Sequence, residues 1–143
     1  MHTHTSTLLR RVAAVLIAAV GVLHLALAGD QMQEARYVGV LFIAGGIGAL
    51  VVALWLWFRP HVGMWTLGAI IAAGMFVGFI LSRTVGLPNF KEPEWELSGI
   101  VSLLLEGGYL VAMAAWFGAV GRRTTAAPRR GTVARGRPVS PRA

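Results

Sequence analysis

Glu106, in the stretch SLLLEGGYL, is a carboxylate inside a long and otherwise mostly apolar run. At the centre of a membrane helix such a group is unfavourable; insertion scales give about 2.5–3.5 kcal/mol for the comparable aspartate. It is therefore expected to turn away from lipid. At 100° per residue, Ser98, Ser102, Glu106 and Tyr109 fall within about 80° of arc on one helix. Together they form a single polar stripe, expected to face the interior of a helical bundle. His24, in GVLHLALAG, is the one histidine within an apolar segment. Counting 1.5 Å per residue from one membrane face puts His24 at about 18 Å and Glu106 at about 21 Å depth. Glutamate and histidine at one level suit a proton relay or a cation site. The plainer alternative is a structural hydrogen bond that fixes two spans together.

Other chemistries lack their residues. The chain has no cysteine, which removes disulfide and thiol redox chemistry and cysteine metal cages. Bis-histidine haem needs two ligands at membrane depth, and only His24 qualifies. Zinc would want three or four ligands at recognisable spacing, and a retinal Schiff base would want a lysine within a span. No phosphate-binding loop occurs, and Ser98-Gly99 lacks the flanking residues of a serine nucleophile. The expectation is a protein that is not an enzyme and carries no cofactor and no metal.

The elements that must hold Glu106 and His24 follow from composition. Of 143 residues, 56% are hydrophobic and only 13% charged, whereas a soluble domain is about a quarter charged. Windows long enough to cross a ~30 Å hydrocarbon core fall at 12–28, 37–58, 62–81 and 97–120. Helices satisfy their own backbone groups in lipid, so the expected fold is an all-α integral membrane four-helix bundle over 1–120. Ten arginines flank the spans on one side with no acid among them: Arg10, Arg11, Arg59 and seven in the tail. The other side mixes Arg36, Arg83 and Lys91 with Asp30, Glu34, Glu92, Glu94 and Glu96. By the positive-inside rule both termini are expected in the cytoplasm, in a bacterial inner membrane. Trp55, Trp57, Trp65, Trp95 and Trp116 all fall near an expected interface and read as anchors. A basic start and an Ala26-Leu27-Ala28 triplet give the first span some likeness to a cleaved signal peptide. His24 and the length of the apolar run favour its retention.

Gly74 and Gly78 lie one turn apart in the third span, and small residues let membrane helices approach closely. They are expected to pack helices, within the bundle or between two copies of the chain. Residues 121–143 hold seven arginines and three prolines, so a disordered cytoplasmic tail is expected, drawn to anionic lipids. Nucleic acid is not an expected partner, because no aromatic or folded reading element accompanies the charge. In the loop LSRTVGLPNFKEPEWELSG, Pro88 and Pro93 interrupt any continuous helix. Arg83 is placed to pair with Glu92, Glu94 or Glu96, which form either a solvated acidic cap or a lure for cations.

GVLHLALA, YVGVLF, FVGFILSRTVGLP and WELSGIVSLLLEGGYL, in that order, resemble a group of small four-span membrane proteins from actinobacteria. The similarity covers roughly residues 12–118. Its most specific parts are the run Ser82-Arg83-Thr84-Val85-Gly86-Leu87-Pro88, then Trp95-Glu96, and Ser102 with Glu106. The resemblance implies the four-span architecture and attaches no activity to it. Two functional expectations result. The first is a non-enzymatic accessory or assembly module that binds another membrane protein or a second copy of itself. The second is a small proton or cation relay using Glu106 and His24.

Overall fold

The computed structural model of the chain describes residues 2–59 and 61–125, with side chains over 6–59 and 61–120. Four helices follow one another: α1 His2–Glu34, α2 Arg36–Phe58, α3 Val62–Arg83 and α4 Leu97–Thr125. All four are long and apolar enough to cross a membrane, the architecture of a multi-pass membrane protein. They form an up-and-down ring in which α1 lies against α2 and α4, and α3 against α2 and α4. The α1–α3 diagonal barely touches, and α2 and α4 do not touch. The arginine-rich tail expected beyond α4 falls largely outside the described residues; α4 itself runs to Thr125.

α1 is far longer than the expected span of 12–28. Gly29, Asp30 and Glu34 lie beyond the expected end at 28, yet they continue the helix for its last turns. Only Ala35 separates α1 from α2, in extended backbone at φ −148° and ψ 107°. Arg59 makes the other short break at φ −136° and ψ 128°. It precedes Pro60, whose ring disfavours the helical region for the residue before it.

Packing is tightest between α1 and α2. A Cβ on Gly21 would lie 2.8 Å from the Gly46 carbonyl oxygen, and one on Gly46 would lie 3.1 Å from that of Gly21. Each glycine is needed for the other helix to come this near. At the arginine-rich end, Arg10 Nη1 donates to the carbonyls of Leu56 and Trp57, both at 2.8 Å. These are among the last carbonyls of α2, which have no partner inside the helix and carry the negative end of its dipole.

The buried core lies in the arginine-rich half of the ring. It joins Ile17 and Val20 of α1, Val52 and Leu56 of α2, Trp65 of α3, and Tyr109 and Trp116 of α4. Trp65 and Trp116 stack with centroids 5.0 Å apart and an interplanar angle of 21°. This corrects the reading of both as interfacial anchors: they are buried against other helices, while Trp55, Trp57 and Trp95 are exposed. Their position near helix ends looks the same in sequence, but the ring closes over them.

A second correction concerns Gly74 and Gly78. A Cβ added at either meets nothing within 4 Å, so neither makes a close helix contact in the bundle. Gly68 does, since its Cβ would strike the Tyr109 hydroxyl. Gly68→Ala is therefore expected to destabilise the bundle by about 1–3 kcal/mol, the usual cost of overpacking. Gly74→Ala should leave stability unchanged or slightly raised, because alanine is the better helix former. Thermal unfolding of the two variants in detergent measures the contrast.

Candidate functional site

Glu106 stands on α4 just above the aromatic core and is only 1% exposed. One turn earlier, Ser102 turns the same way, and its hydroxyl donates to Glu106 Oε1 at 2.7 Å. From α1, His24 Nε2 reaches to 3.8 Å from the same oxygen. That separation is too long for a direct hydrogen bond. His24 Nδ1 lies 3.0 Å from the Val20 carbonyl oxygen. A carbonyl only accepts, so Nδ1 carries the hydrogen and donates, which leaves Nε2 of the neutral ring with its lone pair toward Glu106. Phe42 of α2 holds the imidazole from one side, with ring centroids 4.7 Å apart. Glu106 Oε2 is buried and has no hydrogen-bond partner in the protein.

Glu106 lines a cavity of about 630 Å³ between the acidic halves of the four helices. The floor is His24, Ser102 and Glu106. The walls are mainly apolar, from residues such as Phe42, Ile71, Met75 and Phe79. Asp30 and Glu34 of α1, Arg83 of α3, and Glu92 and Glu96 beyond it surround the mouth. Gly74 and Gly78 also line the space, which explains why nothing meets a side chain there. Below the floor the way is shut by Trp65, Tyr109 and Trp116. Within the described chain the cavity therefore opens at the acidic end and stops at Glu106.

The mouth is braced by the α3–α4 connection. Arg83 Nη1 lies 2.7 Å from Glu92 Oε2 and donates to Ser82 Oγ at 2.8 Å. Its guanidinium sits over the Phe79 ring, 4.1 Å from the centroid. The chain leaves α3 through Gly86 at φ +87°, where a side chain would be strained, and then turns back at Pro88-Asn89. Proline second and Asn89 third at φ 53° is the residue order of a type II turn. It is closed by Phe90 N–H donating to the Leu87 carbonyl at 3.0 Å. Tyr37 of α2 then ties the turn down, its hydroxyl donating to the Pro88 carbonyl at 2.8 Å.

The residues expected to act together separate into three groups. Glu106, His24 and Ser102 meet at the floor. Ser98 is half-buried at the mouth, donating to Glu96 Oε2 at 3.3 Å. Tyr109 belongs to the core below instead, where its hydroxyl donates to the Trp65 carbonyl at 3.1 Å; the polar stripe on α4 is thus divided between cavity and core. Of the three loop carboxylates, Glu92 takes Arg83, Glu96 edges the mouth, and Glu94 is exposed and lines no part of it. Sequence reasoning missed Asp30 and Glu34 as mouth residues, because it placed them in a loop. It also missed the apolar walls.

Comparison of the chain with protein-family models, with curated proteins and with solved structures finds no match. The site is therefore read on its own geometry. Arg83 and Glu92 have little exposure, 8% and 18% for their side chains. A double-mutant cycle of Arg83→Ala and Glu92→Ala should return a coupling of ~1.5–3 kcal/mol, the range for a hydrogen bond to a charged group. Chemical or thermal unfolding of the four variants gives that number directly.

Proposed function

We propose that the protein is a small, non-enzymatic transport or relay protein of the bacterial cytoplasmic membrane, binding protons or a cation at Glu106 and His24. The observation that carries this reading is the cavity floored by Glu106 and His24, with one Glu106 carboxyl oxygen buried and without a partner in the protein. Ionisable residues within membrane spans that face a cavity and not lipid are a mark of ion pathways and proton relays. The net acidic mouth favours the entry of cations over anions. An accessory module without transport would need none of these features, so the geometry favours the relay over the assembly role.

The orientation belongs to the same proposal. Arg10, Arg11 and Arg59 put the core end in the cytoplasm and the cavity mouth outside, with both termini inward. Because the aromatic core closes the inward half, passage requires the Trp65–Trp116 stack to part. The titratable groups around Glu106 come from every direction of the cavity. His24 adjoins it on α1, with Asp30 and Glu34 farther up that helix. Arg83, Glu92 and Glu96 face it from the α3–α4 side.

Two measurements test the reading. In proteoliposomes with an imposed pH gradient, the wild-type protein should carry a pH-dependent flux that Glu106→Gln abolishes while the helical content is kept. A wild-type protein with no flux at all, or stoichiometric co-purification with another membrane protein and no flux, returns the assembly role to first place. The absence of cysteine makes sidedness simple to read. Glu94→Cys in intact cells should react with a membrane-impermeant maleimide, and labelling only after lysis would reverse the orientation.

A further inference from the structure

The cavity is much larger than a proton or a bare ion needs. Small-molecule sites fall at about 300–1,000 Å³, mostly apolar with a few convergent polar groups, and about 630 Å³ lies within that range. A metal ion held by protein would want several ligands together. Among the described residues no group of three or more His, Cys, Asp or Glu side chains is placed to hold one.

The polar atoms at the floor have a common character. Glu106 Oε2 has no partner. Oε1 holds one hydrogen bond, from Ser102, and retains acceptor capacity. The Ser102 hydrogen is spent on that bond, so its oxygen presents lone pairs. The His24 Nδ1–H is spent on Val20, so Nε2 presents a lone pair as well. With Glu106 ionised, the floor is a cluster of acceptors with no donor to spare. Above it the walls are apolar and aromatic, and the mouth is net acidic. Leu41 and Ile70 line the cavity and are 62% and 65% exposed, so apolar side chains of its walls also reach the outer surface of the bundle.

An ammonium group answers this arrangement: it has three N–H donors and no acceptor. We infer that the cavity binds a lipophilic organic amine, its ammonium seated at the floor against Glu106 and His24 and its apolar body lying against Phe42, Met75 and Phe79. The inference rests on the reading of Glu106 and His24 as a cation site and narrows that cation to an organic one. A carboxylate of the same shape meets lone pairs at the floor and a net acidic mouth whose Arg83 is already paired with Glu92. A neutral alcohol offers one donor where the amine offers three.

The test uses the full-length protein in detergent and three probes of one shape: 4-phenylbutylamine, 4-phenylbutanol and 4-phenylbutyrate, titrated by calorimetry. The amine should bind saturably at one site per chain, and the alcohol and the acid at least about tenfold more weakly, the scale of one charge-assisted hydrogen bond. Glu106→Gln should weaken the amine by about tenfold or more without changing the alcohol. Gly78→Leu provides a second variant that leaves Glu106 in place. Its side chain enters open space, so it should fold normally, occupy the cavity and reduce the binding of every probe.

Equal binding of the three probes, no saturable amine binding, or amine binding unchanged in Gly78→Leu would each overturn the inference. Flux of protons without amine binding would sink it and leave the relay standing. Amine binding without flux would keep it and remove the relay.

Discussion

A carboxyl group set between helices in a bilayer has to find its hydrogen bonds within the protein, because hydrocarbon supplies none. Glu106 meets this constraint only in part. Ser102 satisfies one oxygen, and the other is buried without a partner. His24 is held at 3.8 Å by a bond to its own helix and by Phe42, too far to complete the carboxyl itself. A structural hydrogen bond would have closed that distance.

The two halves of the bundle do different work. Toward the arginine-rich end, side chains from all four helices fill the interior, and the Trp65–Trp116 stack with Tyr109 leaves no passage. Interior packing of that kind is dense and intolerant of added volume. Toward the acidic end the interior holds the cavity, and polar ties brace its rim. Arg83 with Glu92, and Tyr37 with the Pro88 carbonyl, hold the α3–α4 connection in place without filling the space beneath. One chain thus combines a rigid base with an open cup, and its ionisable residues lie at the boundary.

Much of the architecture can be read from residue types alone. Four apolar segments and the split of arginines from acids give four spanning helices and an even number of crossings, since hydropathy and helix length are local properties. Counting along spans one and four also brings His24 and Glu106 to a shared level. Properties that depend on neighbours could not be read in this way. Trp65 and Trp116 sit near helix ends, as anchors do, but whether a ring faces lipid or another helix depends on the rotation of that helix. Gly74 and Gly78 carry the spacing of a packing motif, yet α2 meets α3 elsewhere, through Met75 against Gly45 and Ile71 against Gly48. The cavity is defined by where side chains do not reach, and no single residue announces it. Asp30 and Glu34 went unrecognised because polar residues at the end of a membrane helix look like the loop that follows.

The α1–α2 pair is fastened at both extremities, by the single-residue link at Ala35 and by Arg10 on the final carbonyls of α2. Between them the Gly21–Gly46 crossing brings the backbones near enough to exclude sliding. The pair is thus the most closely joined part of the bundle. α3 is held differently: it meets α2 through long side chains, Met75 against Gly45 and Ile71 against Gly48, and reaches α4 by the longest described connection. Close backbone approach on one side of the cavity and side-chain spacers on the other leave room for the cup beside α3.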